Sequence, residues 1–449
     1  MKGESLTVVL GFGATGQSVA RFLSAKELGF AVIDTRPRQD VPLPTKGEYH
    51  WQCESWPQGL SRRTAKVVVS PGLSPQHPLV KQAQDAGLPI CTDIDLFMSA
   101  AEAPVIGVTG TNGKSTVVSL VGHLLKRHGF ACEIGGNLGP PALDLLSPQA
   151  QIYVLELSSF QLAYSGDLEL ASAGVLNVGD DHLDWHGSAA NYAAAKLSIY
   201  DKAQYRVGTG GVAGVTDFDL HAWVGATEQC LGESWSVRDC FGEPTVCLAD
   251  KPLLPVRELP ISGRHNVENC LWALALVKPW VDPSRAVEYF MNFTPLPHRF
   301  VSVPGPEQLH CIDDSKATNV GATLAALEGF QRNLSLILIA GGDSKGADLT
   351  PLGTAMEGRV RALYTIGVDA PRLNDIAQRH GVACHHVGTM DEAVAESMAC
   401  ARVGDTLLLS PACASLDMYD NFSQRGDHFA TLVSRYLGFK ISGENVERF

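Results

Sequence analysis

The chain has 449 residues, 45% of them hydrophobic and 18% charged, with a formal net charge of −13. This length accommodates about three domains of ~150 residues, and the composition is that of a globular protein, not a fibrous or low-complexity one. The acidic balance argues against non-specific binding to nucleic acid or to an anionic membrane surface, although local basic loops can still hold an anionic substrate. The eleven cysteines form no Cys-x-x-Cys pair and read as reduced core thiols of a cytosolic protein. No apolar run approaches the ~18 residues of a membrane span and no signal-peptide pattern opens the chain, so a cytoplasmic protein is expected.

The apolar run Leu6 to Leu10 leads into Gly11-Phe-Gly-Ala-Thr-Gly16, a helical stretch to about Leu28, and a second apolar run, Phe30 to Ile33, that ends at Asp34. This is a βαβ unit. Gly-x-Gly-x-x-Gly with an acid eighteen residues after its last glycine has the form of a dinucleotide fingerprint. Taken alone it fits a nicotinamide cofactor, another nucleotide diphosphate, or no ligand. Arg36 suits a second phosphate or a nucleobase carbonyl. Val67 to Val69, running into Ser70-Pro-Gly72, reads as a further strand at the same sheet edge.

The grammar restarts at Val105 to Val108. There Gly110-Thr-Asn-Gly-Lys-Ser-Thr116 precedes a helical stretch, Val117 to His128. Glycines let backbone N–H groups crowd round phosphate oxygens, a helix N-terminus faces them, and Lys114 adds a mobile charge. A nucleoside triphosphate is the expected ligand, with Ser115 or Thr116 offering a hydroxyl to Mg²⁺. The loop is a variant one, because the leading glycine falls at Gly107 and Gly110 instead of position 108. Further strands are expected at Ile152 to Leu155, ending in Glu156, and at Gly174 to Asn177, followed by Asp180-Asp181-His182. Either acid taken singly is an ordinary solvated strand end; beside a phosphate loop they suit a metal. Lys196, on a helix expected over Ala189 to Asp201, reads from chemistry alone as a solvated lysine.

Residues 205–260 read as a less regular insertion, and Asn266 to Val277 resumes helical periodicity. Thr294-Pro-Leu-Pro297 has the stiffness of a hinge. A third strand–loop series follows: His310 to Ile312 into Asp313-Asp-Ser-Lys-Ala-Thr-Asn319, Leu334 to Ala340 into Gly341-Gly-Asp-Ser-Lys-Gly346, Ala362 to Ile366, and Asp405 to Leu409 into Ser410-Pro411. The first of these loops suits a ribose, a phosphate or a substrate's amine and carboxylate, and equally a solvated turn. Cys384-His-His386 is not read as a metal site, because neighbours on a strand face opposite ways. The expected fold is α/β with three domains, 1–92, 93–297 and 298–449. Each is a Rossmann-like or P-loop-type, mostly parallel sheet flanked by helices, with ligands at the strands' carboxyl ends.

Taken together, Thr109 to Thr116, Leu155-Glu-Leu-Ser-Ser159, Asn177-x-x-x-Asp181-His182, Ala195-Lys196 and His265-Asn266 resemble the Mur ligases of peptidoglycan synthesis. Folylpolyglutamate synthetases share part of this set. Asp314-Ser-Lys-Ala-Thr-Asn319, Gly341-Gly-Asp-Ser-Lys345 and Ser410 through Ser415 to Phe422 and Arg425-Gly426 look like the branch that adds D-glutamate. The resemblance implies an ATP-dependent amide ligase that joins UDP-N-acetylmuramoyl-L-alanine to D-glutamate with ATP and Mg²⁺; a monomer is expected. A folylpolyglutamate-type ligase or a nicotinamide oxidoreductase is the alternative.

The resemblance also implies site residues. Thr15, Asp34, Thr35, Arg36, Ser70 and Asn137 would contact the UDP substrate. Gly110, Thr111, Asn112, Gly113, Lys114, Ser115, Thr116, Asn269, Arg299 and Asp314 would hold ATP. Thr318, Lys345, Ser415, Leu416 and Phe422 would form the D-glutamate pocket. Lys114, Glu156, His182 and Lys196 would be catalytic, with Ser115, Thr116, Glu156, His182 and a carbamylated Lys196 as metal ligands.

Overall fold

The computed structural model describes residues 5–448 except 39, 180, 226–232, 262, 291 and 442–445, so Asp180 lies outside the described residues. The chain forms two compact units. One comprises Met1–Leu259 and Asn269–Phe293, the other Pro260–Glu268 and Thr294–Phe449.

The first unit contains two sheets. Strands β1 (Leu6–Leu10), β2 (Phe30–Ile33), β3 (Gly47–His50), β4 (Thr64–Val69) and β5 (Ile90–Cys91) are all parallel, in the order β3-β2-β1-β4-β5. Their apolar runs are continuous because both faces are buried. Val9, Val32 and Val68 enter one core, while Val8, Leu10, Ile33 and Val69 enter another. Strand order reverses at β1, which opens a crevice between the loops that follow β1 and β4.

The second sheet is built from β6 (Val105–Thr109), β7 (Cys132–Gly136), β8 (Ile152–Glu156), β9 (Ser172–Val175), β10 (Arg206–Gly208), β11 (Ala222–Val224), β12 (Glu233–Cys240), β13 (Glu243–Leu248) and β14 (Lys251–Pro255). Their order is β14-β13-β12-β11-β10-β9-β6-β8-β7. Order reverses at β6, the strand that leads into Gly110 to Thr116. Residues 205–260 are therefore not an irregular insertion. They extend the sheet by five strands, parallel as far as β12 and antiparallel beyond it. Their signal is weak because β10 and β11 are three residues long, and because Pro252 and Pro255 occupy the edge strand, the place where a missing N–H is tolerated. The two sheets share a core in which Phe97 packs edge-on against Tyr153, 5.0 Å between ring centroids.

In the second unit β15 (Val301–Val303), β16 (His310–Asp313), β17 (Leu336–Gly341), β18 (Val360–Ile366), β19 (Ala383–His386) and β20 (Thr406–Leu409) take the order β15-β16-β20-β17-β18-β19. All but β15 are parallel. Ile337, Ile339, Leu407 and Leu409 face one core, and Leu336, Leu338 and Leu408 the other. The helix after the phosphate-type loop begins at Lys114, earlier than the apolar periodicity indicates, because Gly113 at φ +85° turns the chain directly into it. The helix expected to Asp201 ends at Leu197 and passes into a single 3₁₀ turn.

A Cβ at Gly16 would lie 2.0 Å from the Gly11 carbonyl oxygen, so the helix Ala14–Ala25 approaches β1 only because this position lacks a side chain. Gly16→Ala is expected to cost about 2 kcal/mol of stability through overpacking, read as a lower urea midpoint for the first unit.

Candidate active site

At the β1 switch point lies a cavity of about 540 Å³. All six residues expected to meet the UDP substrate line it: Thr15, Asp34, Thr35, Arg36, Ser70 and Asn137. Gly13 also lines it and has nothing within 4 Å of its missing Cβ, so its backbone is open to a ligand. Asp34 is 2% exposed, accepts the Phe12 N–H at 2.6 Å, and is gripped by the Arg36 fork at 3.0 and 2.7 Å. Burial pushes its carboxyl up, but the hydrogen bonds from Arg36 and Phe12 outweigh this and hold it below the usual range. Arg36 is thereby aimed while its side chain stays half exposed. Gln161 lines the same cavity and was not singled out from sequence. Its signal is its place two residues past Leu155-Glu-Leu-Ser-Ser159, where a capping box with Ser158 fixes it.

At the second switch point the loop Gly110 to Thr116 is held in a set shape. Asn177 does much of this: its side chain accepts the Asn112 N–H at 2.8 Å and donates to the Asn112 carbonyl at 3.1 Å, while its own carbonyl takes the Thr111 N–H at 3.0 Å. The Thr111 hydroxyl lies 3.0 Å from the Tyr192 hydroxyl. Asn177 was legible only as part of a motif, not as a structural tie. Asn269 stands against the loop, since a Cβ at Gly113 would fall 2.6 Å from its Oδ1.

Two cations converge on this loop. The Lys114 Nζ donates to the Gly110 and Thr111 carbonyls at 2.8 and 2.9 Å, and the Lys196 Nζ donates to the same Gly110 carbonyl at 2.9 Å. The solvated reading of Lys196 is corrected here. The residue is 1% exposed and lies over the Tyr192 ring, with its ammonium against the Gly110 carbonyl just beyond β6. Burial, with the charge of Lys114 adding, pushes its ammonium well below the ordinary lysine range.

Beside the cations sits a buried carboxylate. Ser115 Oγ donates to Glu156 Oε2 at 2.6 Å, and Asn137 Nδ2 donates to Glu156 Oε1 at 2.6 Å. One chain of three side chains thus runs from the phosphate-type loop to the cavity that Asn137 lines. The Ser115 hydroxyl and the Glu156 carboxylate are hard oxygen donors in contact, a set that fits a divalent cation such as Mg²⁺. Thr116 is half buried in the same turn. His182 adopts φ +52° and packs on Phe160, with Asp181 Oδ1 3.7 Å from its Nδ1. The nearby His186, also unforeseen, bonds the Ser159 hydroxyl at 3.0 Å, and its imidazole is held neutral, pushed down to about 4 by burial and by the charges of His182 and Lys196.

The second unit gathers its expected residues at the carboxyl ends of β16, β17 and β20. Asp314 is buried and accepts from Ser410 Oγ at 2.8 Å; burial, with Asp313 adding, pushes its carboxyl up to about 8, against the hydrogen bond from Ser410 and the charge of Arg299. The Lys345 loop pairs with the Ser415 loop through Asp343 and Ala414, whose N–H groups and carbonyls bond reciprocally at 3.0 and 2.8 Å. Ser415 is buried, Leu416 is exposed, and Phe422 lies under the Lys316 ammonium at 4.2 Å from its ring centre. Thr318 is half buried, in the loop that begins at Asp314. Asn269 falls in the first unit, Arg299 and Asp314 in the second.

Arg425 ties these loops together and was noted from sequence only within a motif. It is 1% exposed and donates to the Ser315 hydroxyl and carbonyl at 3.0 and 2.8 Å and to the Cys413 carbonyl at 3.1 Å. Arg425→Met would leave those acceptors buried without a donor. It is expected to cost about 3 kcal/mol, seen as a lower denaturation midpoint for the second unit.

Residues 5–92 match the Mur ligase MurD-like N-terminal domain, residues 108–209 the Mur ligase middle domain, and residues 298–413 the Mur ligase glutamate ligase domain. The chain is 39% identical over 445 residues to the UDP-N-acetylmuramoylalanine–D-glutamate ligase of Nitrosococcus oceani, spanning 96% of this chain and 97% of that one. It is also 39% identical over 441 residues to the ligase of the same name from Pseudomonas syringae, spanning 96% and 98%. Among solved structures, UDP-N-acetylmuramate-alanine ligase MurC from Thermotoga maritima superposes with a TM-score of 0.60 at 16% identity over 95% of this chain and 98% of that one. The ADP complex of MurF ligase from the same organism gives 0.59 at 14% over 97% and 95%. Likeness at such low identity speaks to the fold alone. The near full-length identity speaks to descent, and the chain belongs to the UDP-N-acetylmuramoylalanine–D-glutamate ligase family of the Mur ligases.

Proposed function

We propose that this chain is an ATP-dependent ligase forming an amide between the alanyl carboxylate of UDP-N-acetylmuramoyl-L-alanine and the amine of D-glutamate, a step of peptidoglycan precursor synthesis. The observation that carries the reading is the meeting of Lys114, Lys196 and the Ser115–Glu156–Asn137 chain at one loop. Residues 1–92 bind the UDP moiety in the cavity at β1, residues 93–297 bind ATP, and residues 298–449 bring the amino acid. The enzyme works in the cytoplasm as a monomer. Among the described residues no helix is long and apolar enough to cross a membrane.

In the proposed reaction an alanyl carboxylate oxygen attacks the γ-phosphorus of ATP, ADP departs, and an acyl phosphate remains. The amine then adds to the acyl carbon, loses its proton, and the tetrahedral intermediate expels phosphate. Lys114 and the loop N–H groups neutralise charge on the transferring phosphoryl group. Asn137 links the substrate cavity to Glu156, so the carboxylate to be activated and the phosphate are positioned by one hydrogen-bonded chain. Ser115, Thr116 and Glu156 would hold one Mg²⁺, and His182 with a carbamylated Lys196 a second. When bound, such ions supply Lewis-acid neutralisation of phosphate and acyl oxygens. The depressed Lys196 suits carbamylation, because the neutral amine is the form that adds CO₂. Asn269, Arg299 and Asp314 serve the nucleoside and γ-phosphate. Thr318, Lys345, Ser415, Leu416 and Phe422 receive D-glutamate, whose second carboxylate requires a cation.

The test supplies ATP, Mg²⁺ and UDP-N-acetylmuramoyl-L-alanine with a panel of D-glutamate, L-lysine and diaminopimelate. Phosphate release that depends on D-glutamate is expected; release indifferent to the amino acid would overturn the reading. Lys114→Ala is expected to abolish phosphate release in that assay. Lys196→Ala is expected to be inactive and partly restored by a small added carboxylate. Full activity of Lys196→Ala without the additive refutes the carbamate.

A further inference from the structure

The loop that carries Lys345 is fastened from both sides. On one side Asp343 pairs with Ala414, as described above, and Asp343 Oδ1 accepts the Lys345 N–H at 2.7 Å. On the other side stands a pair of charged residues. Asp369 Oδ2 accepts the Ser344 N–H at 2.7 Å, and Arg372 donates to the Ser344 hydroxyl at 2.7 Å, to the Ala347 carbonyl at 2.8 Å and to Asp369 Oδ1 at 3.2 Å. Lys345 itself holds φ +52° in this frame, a conformation that L side chains rarely adopt without outside support.

An arginine and an aspartate three residues apart on a helix are ordinarily a surface pair of little consequence. Here the guanidinium divides its donors between the aspartate and a loop 25 residues earlier in the chain, bracketing Lys345 at Ser344 and Ala347. We infer that Asp369 and Arg372 form a clamp that sets the Lys345 backbone, and so the placement of its ammonium for the distal carboxylate of the incoming amino acid. Arg372 is then a positioning residue for acceptor binding. This inference rests on the role proposed above for Lys345.

The clamp predicts a selective effect. In the full-length enzyme, Arg372→Met is expected to raise KM for D-glutamate about ten-fold, with KM for ATP and for the UDP substrate unchanged and kcat within about two-fold. A merely structural role would lower Tm and the active fraction and leave the three KM values alone. Lys345→Met is the companion variant, and Arg372→Met added to it is expected to raise KM no further. If Lys345→Met raises KM for D-glutamate and Arg372→Met does not, the clamp is overturned while the role of Lys345 stands. If Lys345→Met leaves that KM unchanged, the role of Lys345 falls and the clamp with it. Should Arg372→Met fail to fold, Arg372→Lys, which keeps one cationic donor but loses the fork, is expected to raise KM about three-fold; an unchanged KM there overturns the clamp.

Discussion

Glu156 is the group on which the first unit's site depends. A carboxylate 3% exposed is tolerable only when its oxygens have partners, and here each oxygen has one: Ser115 from the phosphate-type loop and Asn137 from the substrate cavity. The hydrogen bonds that satisfy a buried anion therefore also fix the spacing between two crevices. Both crevices arise from the same rule, because each sheet reverses its strand order at β1 or β6 and leaves a gap outside the strands' carboxyl ends.

Buried cations repeat the theme. Lys196 and Arg425 are each 1% exposed, and each turns its donors on backbone carbonyls of loops that follow strands, Gly110 after β6 for Lys196, Ser315 after β16 and Cys413 after β20 for Arg425. The consequences differ with side-chain chemistry. An arginine stays charged and gives several directional bonds, so Arg425 serves as a fastening. A lysine responds to burial by giving up its proton more easily, so Lys196 is disposed to react. The helix beginning at Lys114 turns its N-terminus to the same neighbourhood, which concentrates anion-binding capacity where β6 ends.

Much of the architecture was legible because the three sheets are mostly parallel and buried on both faces, which turns strands into short continuous apolar runs followed by glycine loops. The extension from β10 to β14 was not, because three-residue strands and an edge strand holding Pro252 and Pro255 carry neither a clear period nor a clear length. Among the site residues, those in compact motifs, such as Lys114, Glu156 and Lys345, stand out by type and spacing. Asn177, Gln161, His186 and Arg372 do not: an amide, an imidazole or an arginine acquires meaning only from the group it meets, and those groups lie elsewhere in the chain.

Sequence alone determined the repeated strand–loop–helix grammar, the glycine loops and the residue types able to meet phosphate and a divalent cation, since these follow from local spacing and side-chain chemistry. Tertiary structure decided which of those residues are neighbours. It buried Lys196 against Gly110, joined Asn137 to Ser115 through Glu156, and set Arg425 and Arg372 against loops distant in the chain. The reason is physical: burial and hydrogen-bond satisfaction depend on what packs round a group, and packing brings together segments whose separation along the chain carries no signal of their contact.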